Sequence, residues 1–221
     1  MNIILASTSS GRKQLMDRLG IKYKIMAPEF EEIVDPKKTI PKQVRDFALG
    51  KAISVLKHFS KSKDVLIIGC DSVAILKGKM IGKAHSRQDA KKTLKNFVGK
   101  EQTFLSCLAV IGYKNGKYFE LQGKEETKIT FRKDITDKEI ETYLDWGEYQ
   151  GKAGSYTVSG MGIFLIEKIQ GDFHNIIGLP LRRLGKMIRQ ITGKSVWETV
   201  NLTPRKRNNL TRRFSLVDLR M

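Results

Sequence analysis

Cysteine is nearly absent. The 221 residues hold two, Cys70 and Cys107, and they form no Cys-x-x-Cys pair. That argues against a disulfide-stapled scaffold or a zinc ribbon; both residues stand in apolar runs and read as free, buried thiols of a reducing compartment. The three histidines, His58, His85 and His174, lie in separate segments without His-Glu-x-x-His spacing, which argues against a histidine metal centre. No run approaches the roughly 18–20 apolar residues that span a bilayer. The opening Met1–Ser7 has no basic flank, and its apolar run is too short for a secretion signal. The expected location is the cytoplasm, with no membrane partner. There is no Gly-x-Ser-x-Gly nucleophile elbow. Gly193-Lys194-Ser195 lacks the upstream glycine of a phosphate-binding Walker loop, and Gly160-Met161-Gly162 precedes a strand rather than opening a helix.

Acidic residues are also scarce: 23 Asp and Glu stand against 41 Lys and Arg, a net charge of +18. Such a charge steers polyanions toward the protein without saying which. Nucleotides and nucleic acids stay equally open, although no zinc finger, basic zipper or aromatic RNA-binding run favours the latter. The length suits one domain or two small lobes sharing a cleft, and 40% hydrophobic residues suffice for a core.

Along the chain, residues 2–6 read as a strand running into the polar loop Ser7-Thr8-Ser9-Ser10-Gly11. A helix follows, with Leu15, Met16 and Leu19 at helical spacing and Gly20 as its stop. Residues 22–27 predict a second strand, and Thr39 and Pro41 open a helix to about Leu56. Residues 64–76 predict a long strand interrupted by Gly69 and Asp71, and Lys77-Gly78-Lys79 a turn into a short strand at 80–82. Ser86 and Asp89 resemble a capping box for the next helix. Strands at 102–113 and 117–132 are joined by the hairpin turn Asn115-Gly116. Thr136 caps a short helix to about Leu144; a Gly-rich segment, 147–162, leads to a strand at 163–169 and a last helix at 181–191. The fold class is therefore α/β with a mixed sheet flanked by helices. Residues 1–194 form the domain, and 195–221 a basic tail with weak apolar periodicity.

Two segments could carry chemistry. A strand that delivers hydroxyls and backbone N–H groups to a helix N-terminus makes an anion site, and Arg12 adds a cation suited to phosphate oxygens. Asp71, a carboxylate in the apolar run Ile67–Val73, is expensive to bury unless something uses it; the plainer alternative is an Asp capping a turn at a strand end. Gly69 beside it allows a bulge or a close backbone approach. Lys51 and Lys83, taken alone, read as surface lysines.

In order along residues 3–190, these segments resemble the Maf (septum-formation) family. Its opening motif appears as Leu5-Ala6-Ser7-Thr8-Ser9-Ser10-Gly11-Arg12-Lys13, its acidic pair as Glu31-Glu32 and its helix motif as Lys51-Ala52. Its strand motif appears as Gly69-Cys70-Asp71-Ser72-Val73, followed by Gly82-Lys83-Ala84, Lys152-Ala153-Gly154-Ser155-Tyr156 and the closing segment Gly171–Leu181. The resemblance implies two lobes around a nucleotide-binding cleft, a layout shared with inosine-triphosphate pyrophosphatases, and usually a homodimer. It implies cleavage of nucleoside triphosphates into a monophosphate and pyrophosphate with a divalent cation, Mg²⁺ or Mn²⁺. Asp71 would be the general base or a metal ligand, and the sequence leaves both open. Glu32 would hold the metal, and Ser7, Ser9, Arg12, Lys51 and Lys83 the phosphates. Ser10, Lys13 and Ala84 depart from the family's usual residues. So do Gly11, Ser72 and Ser159, three positions that sort the subfamilies by base, which leaves the preferred base open. Competing readings are a regulatory or nucleic-acid-binding protein that keeps the fold with little catalysis, and an inosine-triphosphate type phosphohydrolase; the enzyme itself could bind nucleic acid weakly through the basic tail.

Overall fold

Alternation with period two along the central strands sets the layout. The computed structural model describes residues 1–199, so the basic tail expected at 195–221 lies outside the described residues from residue 200 onward. Strand β1 (Asn2–Ala6) lies parallel between β2 (Lys24–Met26) and β3 (Val65–Leu76). Antiparallel pairing then runs from β3 to β5 (Glu101–Lys114), from β5 to β6 (Lys117–Phe131) and from β6 to β7 (Ile166–Gln170). Strand β4 (Lys79–Ile81) folds back on the far end of β3. The result is a seven-stranded mixed sheet in the order β2-β1-β3-β5-β6-β7, with β4 beside β3. This is the mixed α/β architecture that the sequence implies.

Successive β3 side chains point to opposite faces. Leu66, Ile68 and Cys70 join Leu15 and Met16 of α1 (Ser10–Leu19) and Leu184, Met187 and Ile188 of α6 (Leu181–Thr192). Val65 and Ile67 on the other face meet Val44, Ala48 and Ala52 of α2 (Ile40–Leu56). Farther along the same strands, Ala74, Phe104 and Phe131 pack with α3 (Arg87–Phe97) and α4 (Asp137–Trp146) in a third cluster. Three long strands thus carry two helical lobes on one sheet. Each buried Ile, Leu or Phe contributes about 1.5–3 kcal/mol relative to exposure, so these clusters hold the strands in register.

Local signals act where the sequence puts them. Asn115 and Gly116 both take positive φ in the β5–β6 turn. Thr136 and Glu139 form a reciprocal capping box on α4, and the Ser86 hydroxyl caps α3 by accepting from Asp89 N. Other readings need correction. The second strand is three residues long, not six. The strand expected at 163–169 begins as a 3₁₀ turn, Met161–Leu165, and becomes β7 only at Ile166. Gly162 is pressed against the chain there, where a Cβ would stand 2.3 Å from the Thr157 carbonyl oxygen, and pairing with β6 starts at Ile166 opposite Phe131. Two short helices, α5 (Phe173–Ile177) and α7 (Val196–Thr199), lie outside the sequence reading. No helix among the described residues is long and apolar enough to cross a membrane.

One feature of the topology positions the site. Strand β1 ends at Ala6 opposite Gly69, and β4 begins its pairing at Ala74. Residues 70–73 of β3 therefore have β5 on one side and an open edge on the other. That gap lies at the carboxyl end of β1, between β2 and β3, the kind of switch point at which α/β sheets open a crevice for ligands.

Candidate active site

Asp71 and Ser72 occupy the open stretch of β3, and the pleat sends them to opposite faces. Asp71 points to the α2 side and is 6% exposed. Its Oδ1 lies 2.6 Å from Nζ of Lys51, itself only 9% exposed. The same Nζ stands 2.5 Å from Oε1 of Glu32, so two carboxylates converge on one ammonium. Partnering of this kind is what makes a buried carboxylate tolerable, since an unpaired one costs several kcal/mol. Asp71 is thus a mid-strand ion-pair residue and not a strand-end cap. Lys51 is not the surface lysine that its immediate neighbours suggest.

Close packing puts Lys51 there. A Cβ at Gly69 would stand 2.2 Å from the Ala48 carbonyl oxygen and 2.8 Å from the Ala52 Cβ, so α2 lies directly on the strand backbone. Of the two roles open to Gly69, the close approach holds, and the register passes through it without a bulge. Glu32 is on the loop before α2, about half exposed. Burial, the largest influence, pushes its carboxyl up. The hydrogen bond and charge of Lys51, joined by the charges of Lys83 and Arg12, outweigh burial and hold it below the ordinary 4.5. Lys83 therefore acts on the same carboxylate. Its backbone forms an isolated bridge with Ala153, and Gly154 N donates to the Gly82 carbonyl at 3.1 Å, so the loop from Lys152 to Tyr156 holds it in place.

Ser72 faces the other side of the sheet, where Arg12 lies 8% exposed in the first turns of α1. Arg12 Nε donates to the Gly178 carbonyl (2.9 Å), Nη1 to Ser7 Oγ (3.1 Å) and Nη2 to Ser72 Oγ (3.2 Å). Ser7 Oγ also accepts from Ser9 N at 3.2 Å, and Ser9 makes no side-chain capping bond to α1. A guanidinium has five N–H groups, so this arrangement fixes the plane of Arg12 and leaves donors over for an anion at the α1 N-terminus. The Cys70 thiol donates to the same Gly178 carbonyl at 3.1 Å. Burial pushes that thiol up, partly countered by the Arg12 charge. Both cysteines are free and buried, as expected.

The three positions that the resemblance links to the choice of base separate. Gly11 and Ser72 both border Arg12: a Cβ on Gly11 would meet the Ile177 carbonyl oxygen at 2.8 Å, and Ser72 Oγ bonds Ser106 Oγ at 2.8 Å. Ser159 is not drawn into this group; its bonds run to Thr157, 2.9 Å between hydroxyls. Around the Ser72–Arg12 pair lie Ser106, which sequence reasoning missed, and Asn175 and Gly178, which fall in the closing segment Gly171–Leu181 without an assigned role there. Only the cross-strand register, Ser72 opposite Ser106, reveals the first of them. Among the described residues no group of three or more His, Cys, Asp or Glu converges on one point.

A family model described as "Maf-like protein" matches residues 2–191. A dTTP/UTP pyrophosphatase of Thermoanaerobacter sp. (strain X514) is 34% identical over 190 residues, covering 86% of this chain and 96% of its own. One from Clostridium botulinum (strain Hall) is 35% identical over 191 residues, with 86% and 97% covered. Another from Dictyoglomus thermophilum is 34% identical over 190 residues, with 86% and 95% covered. Among solved structures, the Staphylococcus aureus Ham1 protein aligns with 59% of this chain and 72% of its own at a TM-score of 0.36 and 17% identity. That likeness is too low to carry an argument.

Proposed function

The chain belongs to the Maf-like protein family, and from that premise we propose that it hydrolyses nucleoside triphosphates at the bond between the α and β phosphates. The products are a nucleoside monophosphate and pyrophosphate. The observation that carries this reading is the Glu32–Lys51–Asp71 constellation beside the Ser7–Arg12 loop, at the switch point of the sheet. The relatives named as dTTP/UTP pyrophosphatases make uridine and thymidine triphosphates the first candidates.

The residues fit a divalent cation. Glu32 and Asp71 already direct carboxylate oxygens at a common cation, the Lys51 ammonium. Glu32, on an exposed loop, would be the protein's ligand to Mg²⁺ or Mn²⁺, with water and substrate phosphates completing the shell. Bound there, such an ion would polarise the α-phosphoryl group. Ser7, Ser9 and Arg12 cradle the phosphates at the α1 N-terminus. Lys51 and Lys83 neutralise charge growing on the departing pyrophosphate. Asp71 Oδ1 carries Lys51, which leaves Oδ2 to take a proton from the attacking water as the phosphorus–oxygen bond to the β phosphate breaks. The resemblance gives the choice of base to Gly11 and Ser72, which border Arg12, and to Ser159, which stands apart from them, and the family's usual homodimer is the expected assembly.

A panel of canonical and modified nucleoside triphosphates, with and without Mg²⁺ or Mn²⁺, tests this. Monophosphate and pyrophosphate should appear in equal amounts, fastest from uridine or thymidine triphosphate. Stepwise release of orthophosphate with a diphosphate product would rule the reading out. Little turnover on any nucleotide, with tight and salt-sensitive polymer binding, would favour a nucleic-acid-binding role instead.

A further inference from the structure

Asn175 lies far along the chain from the phosphate loop and is fully buried. Its Nδ2 faces three oxygens: the Phe104 carbonyl on β5 at 2.9 Å, the Glu125 carbonyl on β6 at 3.3 Å, and Thr127 Oγ1 at 3.1 Å. The Thr127 hydroxyl donates to the Asp172 carbonyl and accepts from Asp172 N. These bonds pin α5 to the sheet by side chains alone. The Asn175 carbonyl accepts from Gly178 N at 2.9 Å and from Ser106 Oγ at 3.4 Å. Gly178 itself sits at φ +110°, a conformation that orients its carbonyl and that side-chain-bearing residues rarely adopt. That carbonyl receives Arg12 Nε and the Cys70 thiol.

A continuous hydrogen-bonded path therefore runs from the backbone of β5 and β6 through Asn175 and Gly178 to Arg12. We propose that Asn175 is a positioning residue that sets the Arg12 guanidinium for the phosphates by locking the Gly178 carbonyl. The idea rests on the phosphate-binding role given to Arg12 above. Among the described residues the side-chain oxygen Oδ1 meets no hydrogen-bond partner in its buried setting, so the amide is held by its donor end. Donor chemistry is what the position demands, because an oxygen in place of Nδ2 would confront two carbonyls and a hydroxyl oxygen.

A double-mutant cycle separates positioning from general support. Asn175→Ala should lower kcat/KM for the best nucleotide by about tenfold or more, mainly through KM. In an Arg12→Ala background the same change should cost less than about threefold, because the group being positioned is gone. Equal losses in both backgrounds would overturn the proposal. If Asn175→Ala does not fold, Thr127→Val removes one oxygen that holds the Asn175 amide and enters the same cycle with the same criterion. The ¹⁵N resonance of Arg12 Nε–H supplies a readout independent of turnover: it should move or broaden in the Asn175 or Thr127 variant, and an unchanged signal contradicts the clamp. A parent protein without turnover but with a shifted Arg12 signal would sink the enzymatic reading and leave the clamp standing.

Discussion

In the sequence, Lys51 sits between Gly50 and Ala52 on a helix, one of 41 basic residues with nothing local to mark it. What distinguishes it is contact: α2 docks on the strand backbone at Gly69, which carries the ammonium to Asp71 and Glu32. Asp71, by contrast, was legible from sequence, because a carboxylate inside an apolar run is anomalous on burial grounds. Ser106 was not legible, and Asn175 stood in the closing segment with no sign of its role, since their partners lie up to 71 residues away and are set by strand register. The cysteines allow a residue-scale prediction. Burial raises both thiols, Cys107 from an ordinary 9.0 to about 12. A raised folded value means that this contribution to stability is full below the ordinary thiol range and is lost as pH rises toward about 12. At pH 8, mass spectrometry should find neither thiol alkylated by iodoacetamide in the folded protein, and both alkylated in urea. Rapid labelling of the folded form would show that the apolar cover over β3 and β5 is not closed.

At the scale of elements, turns and caps were the most readable, because each rests on chemistry within four residues. Asn115-Gly116 and the Thr136 capping box are examples. The 3₁₀ turn at Met161–Leu165 was not readable, because its apolar composition suits a strand while the contacts that hold it, Gly162 against Thr157 and Gly162 N on Glu148, come from residues outside the turn. Helix α5 offered a signal, the N-cap Asp172, which accepts from His174 N, but five residues show little periodicity. The α2–β3 contact makes the sharpest prediction. Gly69→Ala forces a Cβ against the backbone of α2 and should destabilise the protein by about 1–3 kcal/mol or more. It should also slow turnover by displacing Lys51. Gly78→Ala is the control: φ is +72°, but nothing lies within 4 Å of the added carbon, so its cost should be only about 1 kcal/mol. Urea midpoints compare the two directly, and a Gly69 variant as stable as the parent would contradict the close docking of α2.

For the whole molecule, the open edge of β3 between β1 and β4 joins the two faces of one sheet. The Glu32–Lys51–Asp71 group lies on one face and the Arg12–Ser72 group on the other. The net charge of +18 is a property of this scale too: it steers polyanions toward the protein without choosing among them. We propose this gap as a hydrolytic centre with Asp71 at its heart. Turnover of uridine triphosphate by the Asp71→Asn variant, beside its nucleotide affinity, tests this most directly. Asn keeps the shape of the side chain but cannot take the proton from water, so the rate should fall by about 10²–10⁴. Binding should hold or tighten as negative charge leaves the site. Weaker binding restored by excess Mn²⁺ would make Asp71 a metal ligand at the same centre. A folded variant that keeps more than about a tenth of the parental rate would contradict the claim.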